Sequence, residues 1–225
     1  MKKILMVVTS HSSLGDTNKK TGIWLSEFTE PYFALIESGV DVVVASIHGG
    51  VAPIDPNSLH KEALDESTEK YFNSERKVLD YTLPIKDIDF KEFDGIFYPG
   101  GHGPMWDLSI DEKNAELVSN FYNNGKIVAA VCHGPAALLK GKTLSGNSIL
   151  KNKKVTGFSN EEEKTVGLDK VVPFLLEDKL QDLSGHYEKS DVLFAPYIVQ
   201  DGLLLTGENP ASALPLVKEV LKLLK

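Results

Sequence analysis

The chain has 225 residues, 42% of them hydrophobic, with 24 basic against 32 acidic side chains and a formal net charge of −8. That size supports one large core with a modest subdomain, and the acidic balance argues against a nucleic-acid surface or a basic membrane anchor. A single cysteine excludes an internal disulfide, and the apolar run Ile4 to Val8 is too brief for a signal-peptide core or a bilayer span, so a cytoplasmic protein is expected.

Ile4 to Thr9 reads as a first buried strand, followed by a polar loop from Ser10 to Lys20. Trp24, Phe28, Tyr32, Leu35 and Ile36 then recur at helical spacing up to a C-capping Gly39, with Pro31 expected to bend or restart the helix. Val40 to Ser46 is a second strand and completes a βαβ unit. From Gly49 to Asp94 the pattern loosens into turn material and a charged, weakly helical stretch. That connection is longer than usual, and a cap or lid at about 50–92 is expected over the sheet edge.

Gly95 to Tyr98 gives a third strand, closed by the turn Pro99-Gly100-Gly101-His102-Gly103-Pro104, and Asp111 to Asn124 a helix ended by Gly125. Ile127 to Val131 is a fully apolar strand that runs into Cys132-His133-Gly134-Pro135 and a helix fading at Gly141. Val155 to Phe158 is a short strand, and Ser159 to Glu163 a helix start carrying acids in its first turn. Val192 to Ala195, Ile198 to Val199 and Leu203 to Thr206 are further strands, and a last helix is capped by Asn209-Pro210-Ala211-Ser212. The alternation predicts one α/β domain over 1–225, a doubly wound and mostly parallel sheet sandwiched by helices.

The ligand crevice of such a sheet lies at the carboxyl ends of the strands, where the turns after Tyr98, Val131 and Phe158 carry reactive groups. A lone cysteine after an apolar strand is ordinarily a small buried hydrophobe. Here it stands at a sharp strand-to-helix bend beside a histidine, where helix N–H groups would lower its pKa and raise the thiolate fraction. His133 can take and return the thiol proton, and one of Glu161, Glu162 or Glu163 can orient the imidazole. Glu27 sits among Trp24, Phe28 and Tyr32, where poor solvation would raise its pKa and let it donate a hydrogen bond. Gly100, Gly101 and the amide of His133 can approach a developing oxyanion. The six histidines show no paired metal-ligand spacing and no His/Asp cluster, and no phosphate-binding glycine motif appears, so neither metal nor nucleotide cofactor is expected.

Ala130-Val131-Cys132-His133-Gly134-Pro135 resembles the nucleophile elbow of the ThiJ/PfpI superfamily, within the class I glutamine amidotransferase-like fold. Thr21 to Glu27 with Pro31, Tyr98 to Asp107, Val155 to Phe158 and Thr206 to Ser212 agree in order, so the resemblance covers nearly the whole chain. The Cys-His pair, the Gly-Gly-His-Gly loop and the insertion after the second strand are similar to the heat-shock chaperone and glutathione-independent glyoxalase subgroup. The resemblance implies a flavodoxin-like core, a homodimer and conversion of methylglyoxal, a small 2-oxoaldehyde, to lactate without glutathione or metal. It makes Cys132 the nucleophile, His133 the acid/base, Glu27 the buried acid bonded to the cysteine and Glu163 the third member of the triad. Gly100, Gly101 and His102 form the substrate and oxyanion side. Holdase action on unfolded client proteins, deglycation and peptidase activity also belong to this subgroup, so motif and fold alone do not choose the substrate.

Overall fold

The computed structural model describes residues 1–74 and 77–225. Apolar and β-branched runs form β1 (Lys3–Val8), β2 (Asp41–Ser46), β3 (Leu83–Pro84), β4 (Gly95–Tyr98) and β5 (Ile127–Val131), followed by β6 (Lys154–Val155), β7 (His186–Tyr187), β8 (Ile198–Asp201) and β9 (Leu204–Gly207). Between them lie α1 (Leu25–Glu37), α2 (Glu66–Asn73), α3 (Glu112–Asn123), α4 (Asn160–Thr165), α5 (Leu176–Ser184) and α6 (Ala213–Leu223).

Seven strands make one sheet in the order β3-β2-β1-β4-β5-β9-β8, parallel throughout except for the β8–β9 hairpin. With the two-residue β3 and the hairpin partner β8 set aside, the order β2-β1-β4-β5-β9 is the flavodoxin-like arrangement, which opens a crevice at the carboxyl ends of its central strands. β5 is buried at every position, the burial expected of a central parallel strand covered on both faces. The expected α/β sandwich is therefore the fold.

Four local expectations differ in the structure. Pro31 lies inside α1 without restarting it: the helix runs on to Glu37. No α-helix follows the cysteine; Gly134–Leu138 forms a short 3-10 turn, because Gly134-Pro135 is poor helix material and the chain must leave β5 sharply. Val155 to Phe158 does not join the main sheet, since Lys154–Val155 pairs with His186–Tyr187 in a separate two-stranded ribbon. Val192 to Ala195 is irregular rather than extended, with Phe194 at φ 60°.

The insertion between β2 and β4 consists of 3-10 turns, α2 and the edge strand β3. It packs on α1 through Phe28 and Tyr71, whose rings lie edge to face at 6.2 Å, and through a 2.6 Å hydrogen bond between the Thr29 and Ser67 hydroxyls. Its first residues matter most for the site. Ile23 N–H donates to Pro53 O, Asp55 N–H to Ile23 O, and Thr21 Oγ1 to Asp55 Oδ2, which ties residues 21–23 to the insertion, while Trp24 N–H donates to Gly100 O in the turn after β4.

Candidate active site

Cys132 follows β5 directly and adopts φ 59°, the left-handed region that a non-glycine residue enters at a cost. Both its backbone groups are tied down: its N–H donates to Gly207 O on β9, and its carbonyl accepts from Phe158 N–H. The strain is held by this two-sided anchoring. Gly134 must be glycine, because a Cβ there would lie 2.3 Å from the Tyr98 carbonyl oxygen. The result is a bend that lifts the thiol off the sheet edge, next to the turn after β4.

That turn supplies two glycines. The Gly100 N–H donates to Glu27 Oε2 at 2.9 Å, so this amide is spoken for by the acid. Gly101, at φ 88°, packs so closely on residues 22–24 that a Cβ would lie 2.3 Å from Gly22 O. Its own N–H lies toward the Cys132 sulfur. Glu27 comes from the first turn of α1 and is fully buried. Its other oxygen, Oε1, has no regular hydrogen bond, and the Cys132 thiol is the side chain it interacts with. Burial pushes the Glu27 carboxyl up to about 8, so at neutral pH it carries a proton to offer the sulfur.

The imidazole of His133 lies on the other side of the thiol, its Nδ1 3.4 Å from Cys132 Sγ. Its Nε2 is 2.6 Å from Glu163 Oε2, while His102 Nε2 is 2.8 Å from Oε1 of the same carboxylate. The two rings stand 4.1 Å apart between centroids, and Phe158 covers His133 at 4.5 Å. Of the three acids left open by the sequence, the fold brings Glu163 to the histidine. Glu162 instead caps α4 through Ser159 and accepts from Phe194 N–H and Asn209 Nδ2, and Glu161 points outward to Lys189.

Burial, and the charge His102 can carry, push His133 down to about 4. Burial opposes ionisation of Glu163, but the histidines' charges and hydrogen bonds outweigh it and hold the carboxyl far below the usual range. An ionised carboxylate only accepts, so each ring must donate its Nε2–H, which leaves the His133 Nδ1 lone pair facing the thiol. Burial, and the charge that Glu27 carries once it ionises, push the Cys132 thiol up, opposite to the expected depression. The helix that was to lower it is only a short 3-10 turn, and the sulfur is 3% exposed. A neutral thiol so placed can give its proton to His133.

The sequence shows no histidine cluster, yet the fold assembles one: among the described residues, His102, His133 and Glu163 present ligand atoms within 4.8 Å of one another. Spacing along the chain could not reveal it, because the three come from three separate turns. Phe158 walls the His133 ring and Phe194 lies 6.3 Å behind Phe158, two contacts that the sequence pattern does not mark. Their signal was slight: an aromatic immediately after the Val-Thr-Gly turn.

A strained cysteine after a central strand of a flavodoxin-like sheet, flanked by a histidine and a buried acid, defines a nucleophile-elbow α/β protein. The chain belongs to the DJ-1/PfpI family, whose profile matches residues 20–223. Among its relatives is the "Glutathione-independent glyoxalase HSP31" of Saccharomyces cerevisiae, 30% identical over 94% of this chain and 93% of the relative. The "Glutathione-independent glyoxalase hsp3101" of Schizosaccharomyces pombe is likewise 30% identical, over 94% of this chain and 91% of its own. Among solved structures, the Rapid Encystment Protein 24 KDa of Francisella tularensis superposes with a TM-score of 0.95 at 39% identity, over 100% of both chains. Glyoxalase III of Candida albicans superposes with a TM-score of 0.89 at 26% identity, covering 98% of this chain and 96% of that one.

Proposed function

We propose that the protein is a glutathione-independent glyoxalase that converts methylglyoxal and related 2-oxoaldehydes to 2-hydroxy acids. The observation that carries the reading is Nδ1 of His133 at 3.4 Å from the Cys132 sulfur, with Glu163 behind the ring. The thiol proton passes to His133 as Sγ adds to the aldehyde carbon, and the oxygen so formed takes the proton back as a hemithioacetal. The neutral imidazole then removes the hydrogen of that carbon as a proton, the hemithioacetal hydroxyl gives its proton to the neighbouring ketone oxygen through the resulting enediol, and a proton is returned to the neighbouring carbon, leaving a thioester that water hydrolyses to the hydroxy acid and free thiol. Overall one water is added and nothing external is oxidised. Glu27 donates to the sulfur, Gly101 N–H and His133 N–H serve the oxyanion, and Gly100 holds Glu27. His102 lies on the substrate side and shares Glu163 with His133.

The glyoxalase names and the glyoxalase III neighbour favour this over an amidase or peptidase using the same thiol, or a holdase for unfolded clients. Lactate formation from methylglyoxal should be measurable in the wild type and abolished in Cys132→Ala; turnover that survives the substitution overturns the proposal. A peptide substrate that traps an acyl-enzyme would instead establish the amidase. Suppression of client aggregation that outlasts loss of Cys132 would establish the holdase. A cytoplasmic homodimer is part of the same reading, supported by the family resemblance and checked by light scattering. Among the described residues no helix is long and apolar enough to cross a membrane.

A further inference from the structure

We propose that His102, His133 and Glu163 also form a binding site for a divalent metal ion of the zinc type, and that the bound ion switches the cysteine off. The glyoxalase chemistry uses these groups as a proton relay, and the proposal gives the same three a second occupant.

Two imidazoles and one carboxylate are a donor set that zinc accepts with a fourth position left open. Here the donors are already convergent. The two Nε2 atoms lie 2.8 and 2.6 Å from the two oxygens of one carboxylate, and all three ligand atoms fall within 4.8 Å of one another. A metal–nitrogen bond is about 2.0–2.1 Å, so an ion would take the place of the two bridging protons with displacements of a fraction of an ångström. The surroundings resist collapse: Phe158 backs both rings, at 4.5 Å from His133 and 6.2 Å from His102. His102 keeps 11% of its side chain exposed against 1% for His133 and 3% for Glu163, so it is the ring by which an ion enters. Two nitrogen donors select zinc, cobalt or copper over magnesium or calcium, which prefer oxygen.

The geometry also says what the ion would do. An imidazole that gives its Nε2 lone pair to a metal keeps its proton on Nδ1, the atom 3.4 Å from Cys132 Sγ. That proton moves from Nε2 to Nδ1 by exchange with water, no electrons are transferred, and the nitrogen that accepted the thiol proton becomes a donor. The sulfur itself lies across the ring from the metal and is not a ligand.

The test is a titration of the chelator-stripped full chain with zinc chloride by calorimetry and with cobalt chloride by visible absorption. The expected result is one saturable ion per chain. Affinity should be kept in Cys132→Ala and weakened at least about tenfold in His102→Gln and Glu163→Gln, a change of roughly 1.4 kcal/mol or more. Cobalt should give visible d–d bands without a thiolate charge-transfer band, and zinc should slow alkylation of Cys132 until a chelator is added. The absence of saturable binding by the wild type, a thiolate charge-transfer band, or binding lost in Cys132→Ala and kept in His102→Gln would each overturn the proposal. The cobalt spectrum is read on the wild-type chain, so a variant that fails to fold leaves the test decisive. No step uses a 2-oxoaldehyde, so failure of this inference and failure of the glyoxalase reading are distinguishable.

Discussion

Glu27 is a carboxyl that the fold keeps protonated. Between its ordinary value of 4.5 and about 8, the folded chain retains a proton that the unfolded chain has lost, so Glu27 makes stability fall as pH rises through that window. The slope is at most about 1.4 kcal/mol per pH unit. Glu27→Gln replaces the acid with a neutral group that can still accept from Gly100 and donate toward sulfur. It is expected to raise the denaturation midpoint at pH 8 while changing it little at pH 5, which urea titrations at the two values would check. Gly101 invites a harsher change. An added Cβ would meet Gly22 O at 2.3 Å and Trp24 N at 2.4 Å, backbone atoms that cannot step aside, on a residue at φ 88°. Gly101→Ala should cost about 2–4 kcal/mol and move the amide away from the sulfur, seen as a lowered melting temperature together with slowed alkylation of Cys132.

At the scale of elements, the stretch from Glu188 to Tyr197 is fastened to the site by buried acids rather than by strand pairing. Ser190 N–H donates to Glu208, and Phe194 N–H to Glu162, which also holds Asn209. Glu162→Ala would orphan the Phe194 N–H and take one of the two acceptors from Asn209 Nδ2, along with its part in the α4 cap. We expect a loss of about 2–4 kcal/mol and faster protease nicking within 188–197, with Glu162→Gln intermediate. This stretch also marks where sequence reading ends. Val192 to Ala195 has the apolar content of a strand, but Phe194 N–H donates to the Glu162 carboxylate of α4 and the Ala195 carbonyl accepts from Asn209 beyond β9, which no local pattern foretells. The central strands were legible because burial on both faces writes an unbroken apolar run, as in Ile127–Val131. The bend at Cys132 was legible too, since Gly134-Pro135 can continue neither strand nor helix. The thiol's protonation was not: it depends on Glu27, 105 positions earlier in the chain, and on how dry the pocket becomes. The same holds for His102, whose link to Glu163 spans two turns that only the assembled sheet makes neighbours.

Taken as a whole, the molecule holds several acids above their usual range. Burial raises Glu27 to about 8 and Glu30 and Glu208 to about 7, with nearby acids adding to the last two. Each keeps its proton in the fold across a range where the free chain gives it up, so each lowers stability as the solution becomes more alkaline. Burial of His133 acts the other way between about 4 and 6.5 but is a single group. The chain should therefore be more stable at pH 5.5 than at pH 8, by calorimetric melting in buffers of equal ionic strength. Equal stability at the two values would mean that water reaches these acids in solution.

The chain's sole cysteine is 3% exposed, with no other thiol to compete for a probe. A maleimide dye therefore labels each chain once, and the time course of labelling separates folded from unfolded chains without any substrate. The same label reports breathing: in the native state it must wait for the pocket to open, whereas a denatured chain reacts at once. Its uptake against time becomes a stopwatch for that opening.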